Sequence, residues 1–336
     1  MIPANYLAID IGGGSGLKLA VFDSNLQIVG EERRIHISEV PREFAGFMSL
    51  LEQKIVEATA QHPVQAIGIS STGIFTPNGR CLKASSLPFL EGKRIATGIQ
   101  EKLRVPTRLD NDANAGGVAI WQREQRELLY WTFGGGWGGS WVSHDGKILY
   151  SNGNRRGIHP TNEPGYMVSF NRESLKTLFQ EHGFDYNVFE DDLVDHYHYD
   201  TIFISAEQIR AGRVVSGKGI ERIYNSTKTD CLKGSDIFVL AEEGNEEALR
   251  AYSLFGKLLA KAGREVTAST RRNDLPIYLG GQPSMALKHF ENSLLIGLHT
   301  AGITSTVQRC PYNGNGQNAN LYGAALLAMR VDKERK

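Results

Sequence analysis

The segment 109–117, LDNDANAGG, places a proton acceptor and a positioning group side by side. Phosphoryl transfer to an alcohol needs one carboxylate within hydrogen-bond reach of the hydroxyl, and neighbouring polar groups that hold the alcohol in line. Asp112 could supply the carboxylate and Asn111 a positioning contact. Asp and Asn are also ordinary N-cap residues, so the alternative is that the pair only caps the helix of small residues that follows.

Two glycine clusters could hold phosphate groups. One lies at 12–16 (GGGSG), shortly after Asp10, and the other at 134–139 (GGGWGG). The second runs into a strand rather than a helix, and the first lacks a Gly-Lys-Ser/Thr triplet, so neither fits the dinucleotide or P-loop pattern. A glycine hairpin between antiparallel strands can still bind an anion through its backbone N–H groups, or it can be only a tight turn. Two such hairpins and a nearby carboxylate favour a phosphate site with Mg²⁺ close to Asp10.

Hydrophobic patterning predicts an α/β chain with two similar units. Short apolar runs on either side of the first glycine cluster predict two strands, and apolar residues at helical spacing predict a helix from residue 43. The strand, glycine, strand pattern returns at 128–151, where Asp145 and Gly146 mark a hairpin turn. A long helix is predicted from residue 245. Two such units predict a duplicated, two-lobed fold whose boundary lies in the helix after residue 114.

Composition excludes several classes of protein. The chain has 336 residues, and its 37 Lys and Arg balance its 37 Asp and Glu, so no net charge attracts nucleic acid or anionic lipid. The three cysteines, Cys81, Cys231 and Cys310, form no CxxC pair and indicate neither a disulfide framework nor a zinc knuckle. The start of the chain does not resemble a signal peptide, and no run of 18 apolar residues occurs. We expect a soluble, cytoplasmic protein without nucleic-acid or membrane partners.

Six segments, taken in order, resemble landmarks of the ROK family of sugar kinases and repressors. They are DIGGGSGLKLAVFD, IGISSTGIFTPNGR, LDNDANAGG, FGGGWGGSWVSHDGKI, NEPGYM and YLGGQPSMA, and together they span nearly the whole chain. The resemblance implies a two-lobed, actin-like (ribonuclease-H-like) α/β fold with sugar and ATP in the cleft between the lobes. It implies an N-terminal lobe of residues 1–115 plus the C-terminal helix at about 317–336. Residues 116–316 would form a C-terminal lobe for nucleotide binding and dimerisation.

The resemblance also implies roles for individual residues. Asp112 matches the catalytic base, Asn111 and Glu163 match sugar contacts, and Gly73 lies in a loop that borders the sugar. Residues matching the phosphate and adenosine segments are Asp10, Gly12, Gly13, Gly134, Gly135, Gly136, Gly280 and Gly281. His159 precedes Glu163 by four residues and either lines the same cleft or is a loop histidine without a ligand.

The chain departs from the family pattern at several positions. Tyr166 stands where many members have a histidine, and the following stretch, 168–179, lacks the cysteines of the family's zinc loop, so we predict no zinc and place Tyr166 at the sugar. Gly14 and Gly135 replace threonines in the two phosphate loops, and Ser15 could restore one hydroxyl. Ser85 and Ser86 occupy a position where an asparagine contact is common, so the sugar need not be plain glucose.

These features predict an ATP- and Mg²⁺-dependent kinase acting on a hydroxyl of a hexose or hexose derivative, either glucokinase-like or like an N-acetylhexosamine or N-acetylmannosamine kinase. Because the chain starts directly at the first strand, a kinase-type rather than a regulator-type member is expected, as a homodimer. The alternative is a sugar-binding or regulatory protein of the same fold with little or no catalysis. Lys18 is expected to face solvent, Trp137 could lie over a ligand, and the DHYHYD stretch at 195–200 is interpreted as a surface loop rather than a metal site.

Overall fold

The chain forms two five-stranded sheets, and the computed structural model describes residues 4–151, 159–189, 205, 207–312 and 318–335. The strands in chain order are β1 (Tyr6–Gly12), β2 (Gly16–Phe22), β3 (Ile28–Ile35), β4 (Ala66–Ser71), β5 (Ile74–Phe75), β6 (Cys81–Lys83), β7 (Thr107–Asn111), β8 (Leu128–Phe133), β9 (Trp137–Val142), β10 (Ile148–Leu149), β11 (Ser169–Asn171), β12 (Gln208–Arg210), β13 (Ile277–Gly281) and β14 (Val307–Arg309). The α-helices are α1 (Phe44–Thr59), α2 (Ile95–Leu103), α3 (Asp112–Glu124), α4 (Pro164–Met167), α5 (Arg172–Glu181), α6 (Ala211–Val214), α7 (Gly217–Asn225), α8 (Gly234–Glu242), α9 (Glu246–Thr270), α10 (Leu287–Thr300) and α11 (Ala319–Lys333).

The two sheets share one topology. The first has the order β3-β2-β1-β4-β7, in which β1 runs antiparallel to β2 and parallel to β4. The second has the order β10-β9-β8-β13-β14, in which β8 runs antiparallel to β9 and parallel to β13. The central strand β1 is a nearly continuous apolar run because both of its faces are buried. The repeat predicted from the two glycine clusters is therefore confirmed by the strand order and direction.

Two helices of small residues lie between the sheets. Helix α11 packs on β1 and β4 of the first sheet, helix α3 packs on β8 and β9 of the second, and the two helices pack on each other. A side chain at Gly323 of α11 would collide with the backbone carbonyl of Ala115 in α3. The small residues of both helices thus permit a close backbone approach that holds the two sheets together.

Separate apolar clusters support each sheet. The cluster around the first sheet includes Phe47 and Leu51, two of the apolar residues whose helical spacing predicted α1. The second cluster is richer in aromatic residues and centres on Trp131, which is fully buried against α9. Within the described part of the chain, no helix is long and apolar enough to cross a membrane.

Both predicted glycine hairpins form. Gly12 pairs with Gly16 at the end of the β1–β2 ladder, and Phe133 pairs with Trp137 at the end of the β8–β9 ladder. The ring of Trp137 is buried, 5.5 Å from that of Trp131 and 6.2 Å from that of Phe133. Trp137 therefore packs in the core of the second sheet. It also belongs to the lining of the cleft between the two hairpins, so the suggestion that its ring lies over a ligand stays a prediction.

Candidate active site

A cleft of about 770 Å³ opens between the two glycine hairpins. Its walls come from the β1–β2 and β8–β9 hairpins, the start of α3, the short helix α4 and the end of β12. The structure brings these predicted residues into its lining: Asp10, Gly12, Gly13, Ser15, Gly73, Asn111, Asp112, Gly134, Gly135, Gly136, Glu163, Tyr166 and Gly281. The cleft therefore unites residues that are far apart in the sequence.

Asn111 and Asp112 occupy the start of α3 in different ways. Asn111 is the N-cap: its Oδ1 accepts hydrogen bonds from the backbone N–H groups of Ala113 at 2.8 Å and Asn114 at 3.2 Å. Its Nδ2 donates to the carbonyl oxygen of Gly73 at 2.8 Å. The capping interpretation is thus right for Asn111, which also fixes the Gly73 loop. Asp112 is the first helical residue, and its Oδ1 accepts a hydrogen bond from the N–H of Ala113 at 2.9 Å.

Two partly buried carboxyl groups in the cleft have raised pKa values. Removal from water raises the pKa of Asp112 to about 7, and the negative charge of Asp10 adds to the rise. Removal from water and the charge of Asp112 together raise the pKa of Glu163 to about 8. A carboxyl with a pKa near neutrality suits acid–base work, because it exchanges a proton readily at physiological pH.

Asp10 lies at the centre of a polar cluster. Its Oδ1 accepts from the hydroxyl of Ser70 at 2.7 Å, and its Oδ2 accepts from Asn318 Nδ2 at 2.9 Å and Lys18 Nζ at 3.2 Å. The expectation that Lys18 faces solvent was wrong: its side chain is only 21% exposed and forms an ion pair with Asp10. The reason is that Lys18 lies directly opposite Asp10 in the β1–β2 ladder, so both side chains point to the same face.

Space for a ligand exists at the tips of both hairpins. A Cβ atom built on Gly14, Gly134, Gly135 or Gly136 would meet no other atom of the described chain within 4 Å. Packing within the protein therefore does not require glycine at these four positions. The absence of side chains leaves backbone N–H groups next to open space in the cleft, as a phosphate chain requires. Gly281, on the same lining, has a φ of +80°, a conformation that favours glycine.

Tyr166 links the two sides of the cleft. Its phenolic oxygen lies 3.1 Å from the hydroxyl of Ser85, which follows β6. The guanidinium carbon of Arg210 lies 5.4 Å from the centre of the Tyr166 ring. Close contact of Gly165 with Gly212 brings α4 and α6 together and so sets Arg210 beside Tyr166.

Two predicted residues do not reach the cleft lining. His159 is buried, its ring centre 5.3 Å from that of Tyr150, and its carbonyl oxygen accepts the N–H of Glu163 at 2.8 Å, so it shapes the turn that presents Glu163. Gly280 faces inward, where a side chain would collide with Tyr130. The stretch 195–200 lies outside the described residues. In the described ranges, no three His, Cys, Asp or Glu side chains gather as a metal site.

Lys18 and Arg210 are cleft residues that the sequence interpretation either placed elsewhere or did not single out. Lys18 could have been placed from the sequence, because a hairpin closing at Gly12 and Gly16 sets it opposite Asp10. Arg210 could not have been found in the same way, because no local sequence pattern distinguishes it from a surface arginine.

Comparison with known proteins agrees with the geometry. Residues 6–159 match the model of the ROK family, which confirms the resemblance inferred from the motifs. The chain is 31% identical over 157 residues to an N-acetyl-D-glucosamine kinase of Pectobacterium carotovorum subsp. carotovorum (strain PC1); the match spans 44% of this chain and 49%, or about half, of that relative. It is 22% identical over 338 residues to an N-acetyl-D-glucosamine kinase of Vibrio cholerae serotype O1 (strain ATCC 39315 / El Tor Inaba N16961), covering 97% of this chain and all of that one.

The fold has a full-length structural counterpart. The ROK hexokinase of Thermus thermophilus superposes with a TM-score of 0.72 at 19% identity, covering 98% of this chain and 99% of that chain. The expected α/β, two-lobed, actin-like ATPase fold is therefore confirmed.

Proposed function

We propose that this chain, whose residues 6–159 match the ROK family, is an ATP-dependent kinase that phosphorylates a hydroxyl group of a hexose or hexose derivative. One observation supports this above all others: Asp112, with a pKa of about 7, lines the same cleft as two glycine hairpins that leave room for phosphates. The kinase names of the sequence relatives agree with it, and they favour an N-acetylhexosamine as the first acceptor to try.

Asp112 would accept the proton of the attacking hydroxyl. Its Oδ1 is held by the N–H of Ala113, which leaves Oδ2 for the sugar and fixes the orientation of the carboxylate. Glu163, with a pKa of about 8, is largely protonated at neutral pH and can donate a hydrogen bond to a sugar oxygen. Asn111 would act on the sugar chiefly by holding the Gly73 loop. Closure of the cleft would exclude water, which competes as a phosphoryl acceptor.

The hairpins would hold the phosphates of ATP through backbone N–H groups. Bound Mg²⁺ would neutralise charge on the phosphates, and the donor set at Asp10 fits it: three donors occupy the carboxylate, which leaves about one acceptor position for a metal-bound water. We therefore assign Asp10 an indirect contact with the ion. The prediction that zinc is absent stays a prediction.

One observation favours a second candidate, a sugar-binding or regulatory protein with little catalysis. The hairpin tips carry Gly14 and Gly135, which offer phosphate no hydroxyl group. Such a protein would bind sugar without productive use of ATP.

The test is ADP release with Mg²⁺-ATP over hexoses, N-acetylglucosamine and N-acetylmannosamine. We expect one acceptor to stimulate turnover, and Asp112→Asn to lower kcat by about a thousandfold, the scale of a lost general base. Asp145→Asn, at an exposed hairpin turn, is the matched control and should keep full activity. Calorimetric sugar binding without any sugar-dependent ADP release would favour the second candidate instead.

Two further proposals concern the setting of the protein. None of Cys81, Cys231 and Cys310, which all lie in the described part of the chain, forms a disulfide, and this supports a reducing compartment such as the cytoplasm. The homodimer expected from the resemblance stays a prediction, and light scattering coupled to gel filtration would test it.

A further inference from the structure

Arg210 is a buried cation facing the cleft. It ends β12, is 4% exposed and belongs to the cleft lining. Its Nε donates to no atom of the described structure, and its one side-chain hydrogen bond is long, 3.5 Å from Nη1 to the carbonyl oxygen of Tyr166. Its guanidinium also lies over the face of the Tyr166 ring, 5.4 Å from the ring centre. No carboxylate of the described residues forms an ion pair with it.

Two other cations of the cleft, Lys18 and Lys83, have counter-ions. Lys18 pairs with Asp10 at 3.2 Å, and Lys83 pairs with Glu91 at 2.9 Å. Asp112 and Glu163 have raised pKa values with no cation among the causes, so Arg210 does not neutralise them either. An unpaired guanidinium removed from water is strongly unfavourable, whereas the same group facing an anionic ligand forms short, charge-assisted hydrogen bonds. Arg210 therefore has the properties of a residue that binds an anionic ligand.

The surroundings of Arg210 point to the acceptor side of the cleft. Tyr166, which it contacts, lies in α4, the short helix that begins directly after Glu163. The charge of Asp112 raises the pKa of Glu163, so Glu163 lies close to the proposed base. The end of the second phosphate hairpin is also near, because a Cβ on Gly165 would meet the backbone of both Trp137 and Gly212, so the phosphates of ATP are the alternative anion that the test must exclude.

We propose that Arg210 binds an anionic substituent, a carboxylate or a phosphate, on the acceptor sugar. The inference rests on the proposed function only in taking the cleft ligand to be a sugar. The planar guanidinium matches both anions through paired N–H donors, and the buried setting favours a charged over a neutral sugar of the same shape.

Calorimetry without nucleotide tests the proposal with two matched pairs of sugars. N-acetylglucosamine and N-acetylmuramic acid differ by a carboxylate-bearing ether, and glucose and glucose 1-phosphate differ by a phosphate. We expect the charged member of one pair to bind at least about tenfold tighter than its neutral partner, and the pair that responds identifies the anion. Arg210→Gln should abolish this advantage and change neutral-sugar affinity by less than about twofold, while Arg210→Lys should retain part of it.

Arg172→Gln is the matched control. Arg172 is another partly buried arginine of the same half of the chain, with Nη1 donating to Tyr186 and to the carbonyl oxygen of Phe189, but it lies outside the cleft lining, so this variant should keep the preference for the charged sugar. Circular dichroism melting checks that each variant folds, and removal of the buried charge of Arg210, which has no ion-pair partner among the described residues, should not lower the melting temperature.

Three results would overturn the inference: equal binding within both pairs, a charge preference that persists in Arg210→Gln, or an Arg210→Gln effect confined to KM for ATP, which would assign Arg210 to the nucleotide. A different result would contradict the proposed kinase function. Charge-dependent sugar binding without any ADP release would contradict the kinase and leave the role of Arg210 intact. The opposite result is turnover of neutral sugars that Arg210→Gln does not alter, together with equal binding within both pairs. It would support the kinase function and contradict the role proposed for Arg210.

Discussion

The hydroxyl of Ser85 and the phenolic oxygen of Tyr166 lie 3.1 Å apart across the cleft. Ser85 follows β6, which belongs to the half of the chain that forms the first sheet, whereas Tyr166 belongs to α4, which packs on β9 of the second. This hydrogen bond therefore joins the two walls of the proposed sugar site.

Loss of the Ser85–Tyr166 hydrogen bond should weaken sugar binding. A neutral hydrogen bond contributes about 1 kcal/mol, so Ser85→Ala and Tyr166→Phe should each raise KM for the sugar about fivefold with little change in kcat. The double variant should be no worse than either single one, because the same bond is lost. Steady-state kinetics of this double-mutant cycle measures the coupling, and strictly additive effects would contradict it.

The pH–rate profile should be bell-shaped. Asp112 must be deprotonated to accept a proton, so kcat/KM should fall about tenfold per pH unit below its pKa of about 7. Glu163 must be protonated to donate, so a second decline is expected above about pH 8. Glu163→Gln still donates through its amide and should lack the alkaline decline. Initial rates from pH 5 to 10 test both limbs, and a profile flat down to pH 5 would exclude Asp112 as the base.

Stability should fall with rising pH because of Glu163. Its folded-state pKa is raised from 4.5 to about 8, so the fold favours the neutral form. The contribution of neutral Glu163 to the free energy of unfolding is complete below pH 4.5 and is lost as the pH rises through 8. Glu163→Gln cannot ionise, so at pH 9 it should be more stable than the wild type, by at most about 5 kcal/mol for a pKa rise of this size, and the difference should shrink toward pH 5. Thermal melts without ligand measure it, with Glu101→Gln, at an exposed position of α2, as the control that should show no such dependence.

Gly135→Ala should weaken ATP binding without weakening the fold. The added Cβ meets no protein atom within 4 Å, and φ at Gly135 is not in the left-handed region, so the melting temperature should stay unchanged. The methyl group would occupy space assigned to phosphate, and we expect KM for ATP to rise about tenfold. Gly234→Ala, where the new Cβ makes ordinary contact with Glu221 outside the cleft, is the control. An unchanged KM for ATP in Gly135→Ala would place the phosphates elsewhere.

The chain's local patterns were sufficient to predict much of the fold. Apolar runs predicted the central strands, glycine clusters predicted both hairpins, and helical spacing predicted α1 and α9, because each feature depends on residues near one another in the chain. The same local chemistry singled out Asp112, since an Asp at a strand end before a helix of small residues has few interpretations. The pairing of Lys18 with Asp10 also depends only on hairpin register, so the local sequence contains the information that places Lys18 beside Asp10.

Only the tertiary structure decided which side chains share the cleft. His159 and Gly280 lie away from the cleft lining because neighbouring side chains enclose them, whereas Trp137 is both buried and part of the lining. Arg210 entered the lining because the contact of Gly165 with Gly212 joins segments that are distant in sequence. The raised pKa values of Asp112 and Glu163 likewise depend on burial and on a neighbouring negative charge, that of Asp10 for Asp112 and that of Asp112 for Glu163. Residue types can therefore be read locally, but burial and electrostatic coupling are sums over neighbours that only the folded chain brings together.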